Sequence, residues 1–422
     1  MLTRIKHASR QVITHTAEPG PVHRWFQFKE SFSPALVYAI LDRLGAGPGD
    51  RFLDPFCGAG TALLVAAERG LKPVGCDRSP LATFVSRVKL TPFSPAQVRQ
   101  ATREILQKGN LSTELPSGVR CPWFFSPTVY AQLLELRERI LALDGPAKDV
   151  LLLGLIATVD AVDLAFKDGA FLAKIYPPKP GSDGRRKRQE LFARERATPC
   201  NDVLGTWQCR MAAITHDLTW RQTMEALGVI RSVRQAPVLL ADARQLPYSA
   251  KFDFIITSPP YPNRYDYTRI YEPELLILLG GRQTIPSLRH GMLCSNCEAH
   301  ALPPHPYYRE PARLTILLNR LQGRVDNKVI AMLRGYFSDM YHALISMAGA
   351  LKPGGSLAMV VGTSGYDGLI IPTDELLAEI GEQAHLPIQT LQVLRRKDAP
   401  PQQRRHGWRQ QRESLLLYQK PI

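Results

Sequence analysis

The chain has no apolar run long enough to cross a membrane. Its most apolar stretch, Val150–Val162, is interrupted by Asp160 and followed by Asp163, and falls short of the roughly 20 residues a bilayer needs. It reads as a buried helix. The N-terminus is polar and basic without an apolar core, so no secretory signal is expected and a cytoplasmic location is. Cysteine is sparse, scattered and odd in number, seven in 422 residues, which fits reduced thiols better than a disulfide framework. Acidic residues are outnumbered 38 to 53 by Lys and Arg, for a net charge of +15. Such a surplus favours a polyanionic partner, nucleic acid above all, held by phosphate neutralisation. A basic surface kept for solubility is the alternative.

What is present is enough for a large core, with 45% hydrophobic residues and a length that suggests two or three domains. The first ~20 residues are polar and expected to be poorly ordered. Ser33-Pro34 followed by Leu36, Ile40, Leu41 and Leu44 predicts a capped helix over 33–46, ended by Gly45–Gly49. A strand at Arg51–Asp54, a glycine turn, a helix at about Thr61–Arg69 and a strand at Pro73–Asp77 form a βαβ unit. Residues ~90–235 then turn helical in period, with Trp123, Phe124, Leu133, Leu134, Leu136 and Ile140 as core candidates. Strand patterns resume at Val238–Ala241, Phe252–Ile256, Ser356–Val361, Thr390–Leu394 and Leu415–Tyr418. The expected fold is a seven-stranded, Rossmann-like α/β sheet split by a helical insertion. Residues 1–89 and 236–422 build the sheet domain, 90–235 the insertion, and 280–326 a second irregular stretch.

The turn reads Asp54-Pro55-Phe56-Cys57-Gly58-Ala59-Gly60-Thr61. Asp54 ends a strand at the edge where open α/β sheets bind ligands. Gly58 and Gly60 let the backbone turn sharply and approach a ligand closely, and the following helix points its N-terminus at it. Asp77 ends the next strand 23 residues later, placed to accept hydrogen bonds from both hydroxyls of a ribose. No Gly-Lys-Ser/Thr follows the turn, so a triphosphate is excluded, and the full Gly-x-Gly-x-x-Gly of dinucleotide folds is missing. The whole string resembles the cofactor motif of amino-group methyltransferases, which implies S-adenosylmethionine. By the same resemblance Asp242 contacts the adenine end of the cofactor; a carboxylate capping the next turn is the alternative. Phe26, Phe28 and Lys29 resemble the segment that packs over its methionine end, although simple core packing would also account for them.

Ser258-Pro259-Pro260-Tyr261 follows the apolar run Phe254-Ile255-Ile256. The exocyclic amine of a nucleobase is a poor nucleophile, because its lone pair is delocalised into the ring. The Ser258 hydroxyl and Pro259 carbonyl can accept from its two N–H bonds and draw the nitrogen toward tetrahedral geometry. Two prolines stiffen the turn and remove competing N–H groups. Tyr261 offers a ring face for an extruded base, and positioning is then the main catalytic contribution. A serine is too weak a base to take the proton first. No Pro-Cys nucleophile pattern is present, which argues against covalent carbon-5 methylation. Asn263, Arg264, Tyr265, Tyr267 and Arg269 could line the base pocket or touch flanking phosphates.

Together these segments resemble the Ser-Pro-Pro-Tyr class of DNA amino-methyltransferases, typically cytosine-N4 enzymes of restriction–modification systems. Lys352-Pro353-Gly354-Gly355, the turn before a late strand, and Phe166-Lys167-Asp168-Gly169 add to the likeness. The resemblance implies a sheet with one reversed strand, double-stranded DNA as substrate, and a cognate restriction endonuclease or other defence-system component as partner. In many cytosine-N4 enzymes the catalytic motif comes first; here the cofactor motif does, a permuted order. Target recognition is therefore assigned to 90–235 first and 280–326 second. Adenine N6 on the same fold, an RNA substrate and a catalytically silent binding subunit are the alternatives. Cys294 and Cys297 have metal-ligand spacing, but a second clear ligand pair is missing and no metal is expected. The basic segments Tyr176–Arg196 and Arg395–Arg412 suit either phosphate contact or solvated loops.

Overall fold

The structure, a computed structural model, describes residues 6–7, 20–26, 28–29, 31–168, 171–174, 202–231, 235–398 and 410–422. Tyr176–Arg196, Gly169, most of the first 20 residues, and His406 and Trp408 lie outside them. The described chain forms two units: Met1–Pro92 with Gly228–Tyr265 and Pro286–Ile422, and Phe93–Leu227 with Asp266–Ile285.

The first unit is built on one sheet. Its strands are β1 (Lys6–His7), β2 (Arg51–Asp54), β3 (Lys72–Asp77), β6 (Val238–Leu240), β7 (Phe252–Thr257), β8 (Leu351–Gly362), β11 (Ile388–Asp398) and β12 (Gln410–Gln419). The second unit holds the hairpin β4 (Ala165–Asp168) and β5 (Phe171–Lys174), and the first a small hairpin of β9 (Ser364–Tyr366) and β10 (Leu369–Ile371). The sheet order is β1-β11-β12-β8-β7-β2-β3-β6. β12 runs antiparallel to both neighbours; β2, β3, β6, β7 and β8 pair in parallel. The sheet is thus the expected Rossmann-like one with a single reversed strand, and has eight strands rather than seven. Lys6–His7 adds the eighth, parallel to β11. Two residues are too few to show a strand period in the sequence.

Each predicted element of the βαβ unit forms. Ser33 caps the helix Pro34–Leu44 by accepting from the Leu36 amide, and Gly45 closes it at φ 67°. The helix Thr61–Glu68 starts at Gly60, and Ser79 caps the helix Pro80–Lys89. Lys352-Pro353-Gly354-Gly355 lies inside β8 instead of before it. Phe252 pairs with Leu351 but Phe254 pairs with Ser356, so four residues bulge out of register with β7. The long helix Asn327–Ala350 packs the sheet through Leu333, Phe337, Met340 and Leu344, all sealed from solvent. Residues 280–326 are less irregular than expected, with helices at Ile285–Gly291 and Ala312–Leu321.

The second unit is helical, with Pro95–Gln107, Pro127–Leu141, Ala147–Val162 and Val203–Ala226 as its main helices and β4–β5 as its hairpin. Val150–Val162 is buried except at Asp160, which is exposed, and Ala161, which is half-buried. Trp207 seats its indole N–H on the Leu151 carbonyl at 3.2 Å, and a side chain at Gly154 would collide with Met211. Phe124, Leu133, Leu136 and Ile140 are buried, but Trp123 is 42% exposed and Leu134 only half-buried. Helical period alone overcounts the buried stripe there: Leu134 lies within the helix Pro127–Leu141 and stays half-buried, and Trp123 lies before it and is exposed while its neighbour Phe124 is buried. Lys167 is buried and paired with Glu274 and, at 2.9 Å, with Asp160. It also sits 4.9 Å from the centre of the Tyr271 ring. Among the described residues no helix is long and apolar enough to cross a membrane.

Candidate active site

Parallel pairing brings the C-terminal ends of β3, β2 and β7 side by side. Asp54 is 1% exposed, and its Oδ1 accepts from the Phe56 amide at 3.1 Å and from the Thr257 hydroxyl at 2.7 Å. Burial pushes its carboxyl up to about 7, against the pull of those two hydrogen bonds. Asp77 accepts from the Gly58 amide at 3.0 Å and the Ser79 amide at 2.9 Å. Burial raises it to about 6, again against its hydrogen bonds. Pro55 and Phe56 form the first part of the turn, and Cys57 is buried behind it, its thiol pushed well up by burial.

Gly58 and Gly60 both need positive φ, 50° and 78°. A Cβ at Gly58 would meet the Phe28 ring at 3.6 Å, and one at Gly60 would press the Ser86 hydroxyl at 2.8 Å. Ser86 donates to the Gly58 carbonyl at 2.8 Å. Gly75 in β3 is as tightly constrained, since a Cβ there would lie 2.5 Å from Leu63. Thr61 opens the helix after the turn. Phe28 is buried edge-on to Phe26, ring centres 5.5 Å apart, while Lys29 is exposed.

Ser258-Pro259-Pro260-Tyr261 leaves the end of β7, directly after Thr257. Pro259 is buried, and Ser258, Pro260 and Tyr261 are half-buried. The Tyr261 hydroxyl donates to Glu413 at 2.9 Å. Its ring edge occupies the space over Gly362, where a Cβ would sit 2.7 Å away. Burial opposes ionisation of Glu413, but Arg395, donating at 2.5 Å, holds its carboxyl below the usual range. Tyr366 donates to the Pro262 carbonyl at 2.7 Å and pins the chain beyond the motif. Arg264 is exposed, and its backbone takes a strained φ of 69°. Tyr265 is buried and Asn263 exposed, so these neighbours do not form one polar wall.

Asp242 follows β6. It caps the short turn Ala243–Gln245 and receives Arg244 through Nε at 3.0 Å and a terminal nitrogen at 2.7 Å. Arg78 stands 3.9 Å away. Despite burial, Arg244 keeps the Asp242 carboxyl below the usual carboxylate range. The buried Arg244 also reaches Asp339 at 2.8 Å. Cys294 and Cys297 are turned to the Ala299 carbonyl and the Met332 thioether. Among the described residues no three His, Cys, Asp or Glu side chains converge to hold a metal.

The chain is similar to known methyltransferases along nearly its whole length. It is 27% identical to the type II methyltransferase M.BsoBI of Geobacillus stearothermophilus, covering 98% of this chain and 88% of that one. It is 26% identical to the type II methyltransferase M.AvaI of Anabaena variabilis, covering 98% and 89%. Residues 21–108 match the family model "UPF0020: RMKL-like, methyltransferase domain". The chain is an S-adenosylmethionine-dependent methyltransferase. The crystal structure of TrmN from Thermus thermophilus aligns over 93% of this chain and 50% of its own, at 12% identity and a TM-score of 0.31. The fold assignment rests instead on the strand order and the reversed β12.

The site of this methyltransferase suits its cofactor. Two carboxyl groups stand at adjacent strand ends, the glycine backbone between them carries no Cβ, and the Phe28 ring packs over Gly58. That donor set matches a cationic ligand with a ribose diol. Several contributors were not legible in the sequence. Thr257, Ser86, Lys89, Gly362 and Glu413 act through contacts between segments 28 to more than 200 residues apart. Only Thr257 had a local signal, as the last residue of the strand before Ser258.

Proposed function

We propose that this methyltransferase modifies the exocyclic N4 amine of cytosine in double-stranded DNA, with Ser258–Tyr261 as its catalytic segment. The observation that carries the reading is the 2.7 Å hydrogen bond from Thr257 to Asp54, which joins the strand before Ser-Pro-Pro-Tyr to the cofactor turn. Similarity to type II methyltransferases over nearly the whole chain and the net charge of +15 support a DNA substrate.

When bound, S-adenosylmethionine supplies an electrophilic methyl group on its sulfonium. Asp54, Asp77, Gly58 and Gly60 hold the cofactor, with Pro55, Phe56, Thr61, Phe28, Lys29 and Asp242 around it. The Ser258 hydroxyl and the Pro259 carbonyl accept from the amine of the extruded base, and Pro260 contributes no competing N–H. Tyr261 is held by Glu413 and fitted over Gly362, so its ring is pre-positioned for the base. Ser258 does not remove the proton, which leaves to solvent after methyl transfer; it orients the lone pair. Residues 90–235 carry target recognition, and a restriction endonuclease of the same specificity is the partner.

The test is to express the enzyme, digest host DNA to nucleosides and identify the methylated species by mass spectrometry. N4-methylcytosine is expected, absent with Ser258→Ala. N6-methyladenine alone would move the target to adenine. Unmodified DNA alongside methylated RNA would overturn the DNA reading.

A further inference from the structure

The helix Pro80–Lys89 ends in a lysine that is 1% exposed. A buried ammonium is costly unless its N–H groups are met. Lys89 Nζ donates to the carbonyls of Phe26 at 2.6 Å, His23 at 3.0 Å and Ala59 at 3.1 Å. Two of those carbonyls belong to the segment that carries Phe28, and the third to the cofactor turn itself. One helical turn earlier, Ser86 holds the neighbouring Gly58 carbonyl at 2.8 Å. The same helix face thus reads two successive carbonyls of the turn, residues i and i+3 on one stripe. Burial pulls the Lys89 ammonium down to about 7, while the three carbonyls and the helix C-terminus, where the dipole favours a cation, act to keep the proton.

Phe28 lies 30 residues from Gly58 in sequence, yet its ring packs over Gly58, 3.6 Å from where a Gly58 Cβ would be. Lys89 bonds the chain next to each partner of that contact, at Phe26 and at Ala59. We propose that Lys89 is a positioning residue for cofactor binding: its ammonium clamps the His23–Phe26 stretch to the glycine turn and so sets how Phe28 packs on Gly58. This rests on the assignment of that turn and Phe28 to the cofactor. Lys89 touches neither the base nor the methyl group. Its removal should therefore weaken cofactor binding while sparing DNA affinity.

The experiment compares wild type, Lys89→Met, Phe28→Ala and the double variant by calorimetric titration with S-adenosylhomocysteine. DNA affinity at moderate salt and the thermal midpoint are measured in parallel. Lys89→Met is expected to bind at least tenfold more weakly, with DNA affinity within twofold of wild type. The double variant should bind about as weakly as the weaker single variant, because both act through one segment. Additive losses, or Lys89→Met binding within twofold of wild type, would overturn the proposal. If Lys89→Met does not fold, Lys89→Arg decides. It keeps the charge, but a planar guanidinium cannot reproduce one nitrogen shared by three carbonyls. A several-fold loss is then expected, and unchanged affinity refutes the clamp. Failure of the wild-type protein to bind at all would count against the cofactor assignment, not against the clamp alone.

Discussion

Thr257 donates a hydrogen bond from its hydroxyl to Asp54 across 2.7 Å, and both side chains are sealed, at 0% and 1% exposure. They are the last residues of the adjacent parallel strands β7 and β2. This bond joins the strand before Ser258 to the strand before the glycine turn, 203 residues apart in sequence.

Thr257→Val keeps the shape and removes the donor, leaving a buried carboxylate one partner short. A loss of about 1–3 kcal/mol is expected. Chemical denaturation should show a lower midpoint with an unchanged slope. S-adenosylhomocysteine titration should show weaker binding, since Asp54 loses one of its two orienting contacts.

The pH response of Asp54 has a definite sign. Its folded-state pKa, about 7, lies above its ordinary 3.8. The folded form therefore binds more protons than the unfolded chain between those values. The stabilising contribution is complete below pH 3.8 and is lost as pH rises through 7. Asp54→Asn keeps an acceptor for Thr257 and Phe56 without the charge. The ligand-free variant should gain thermal stability over wild type at pH 8, on the order of 1.4 kcal/mol per unit of displaced pKa. The gap should narrow toward pH 5. A constant gap across that range would refute the assignment.

Gly60→Ala tests the turn. The residue sits at φ 78° and a Cβ would lie 2.8 Å from the Ser86 hydroxyl. The left-handed backbone alone costs roughly 1–2 kcal/mol. Adding Ser86→Ala should recover only the steric part. Full recovery of the melting temperature would show that backbone conformation is not the constraint.

Tyr261 separates ring from hydroxyl. Tyr261→Phe loses the bond to Glu413 but keeps the ring over Gly362, and turnover should fall only a few-fold. Tyr261→Ala removes the stacking surface, and a loss of roughly 10- to 100-fold in kcat/KM is expected, from ~1–3 kcal/mol per stacked base. Equal activity of Tyr261→Ala and wild type on DNA would exclude the stacking role.

Lys167→Met strands Glu274, a fully buried acid, without its cation. Breaking one side of such a pair costs about 3–5 kcal/mol. Hydrogen exchange should report the loss in the helical unit. Lys167→Met with Glu274→Leu should restore much of it, because no charge is then left buried.

The sheet domain was largely readable because its signals are local. Arg51–Asp54, the helix from Thr61 and the strand ending at Asp77 announce themselves by period, caps and glycines. β1 was not readable, because two residues carry no period. Trp123 misled because hydrophobicity does not say which side of a chain faces solvent. Asp242 was left between two roles, and the cap and Arg244 pair seen in the structure are compatible with both. Arg244 is invisible as a core residue until Asp339, 95 positions on, is folded against it.

Residue order alone therefore determined the element types, the glycine turn and the chemistry available at Ser258–Tyr261. These depend on backbone preference and side-chain type within a few neighbours. Tertiary structure decided that Asp54 meets Thr257, that Lys89 joins Phe26 to Ala59, and that Tyr261 is held by Glu413 over Gly362. Those contacts depend on strand order and on which buried polar groups must find partners. Neither is expressed in any short stretch of sequence.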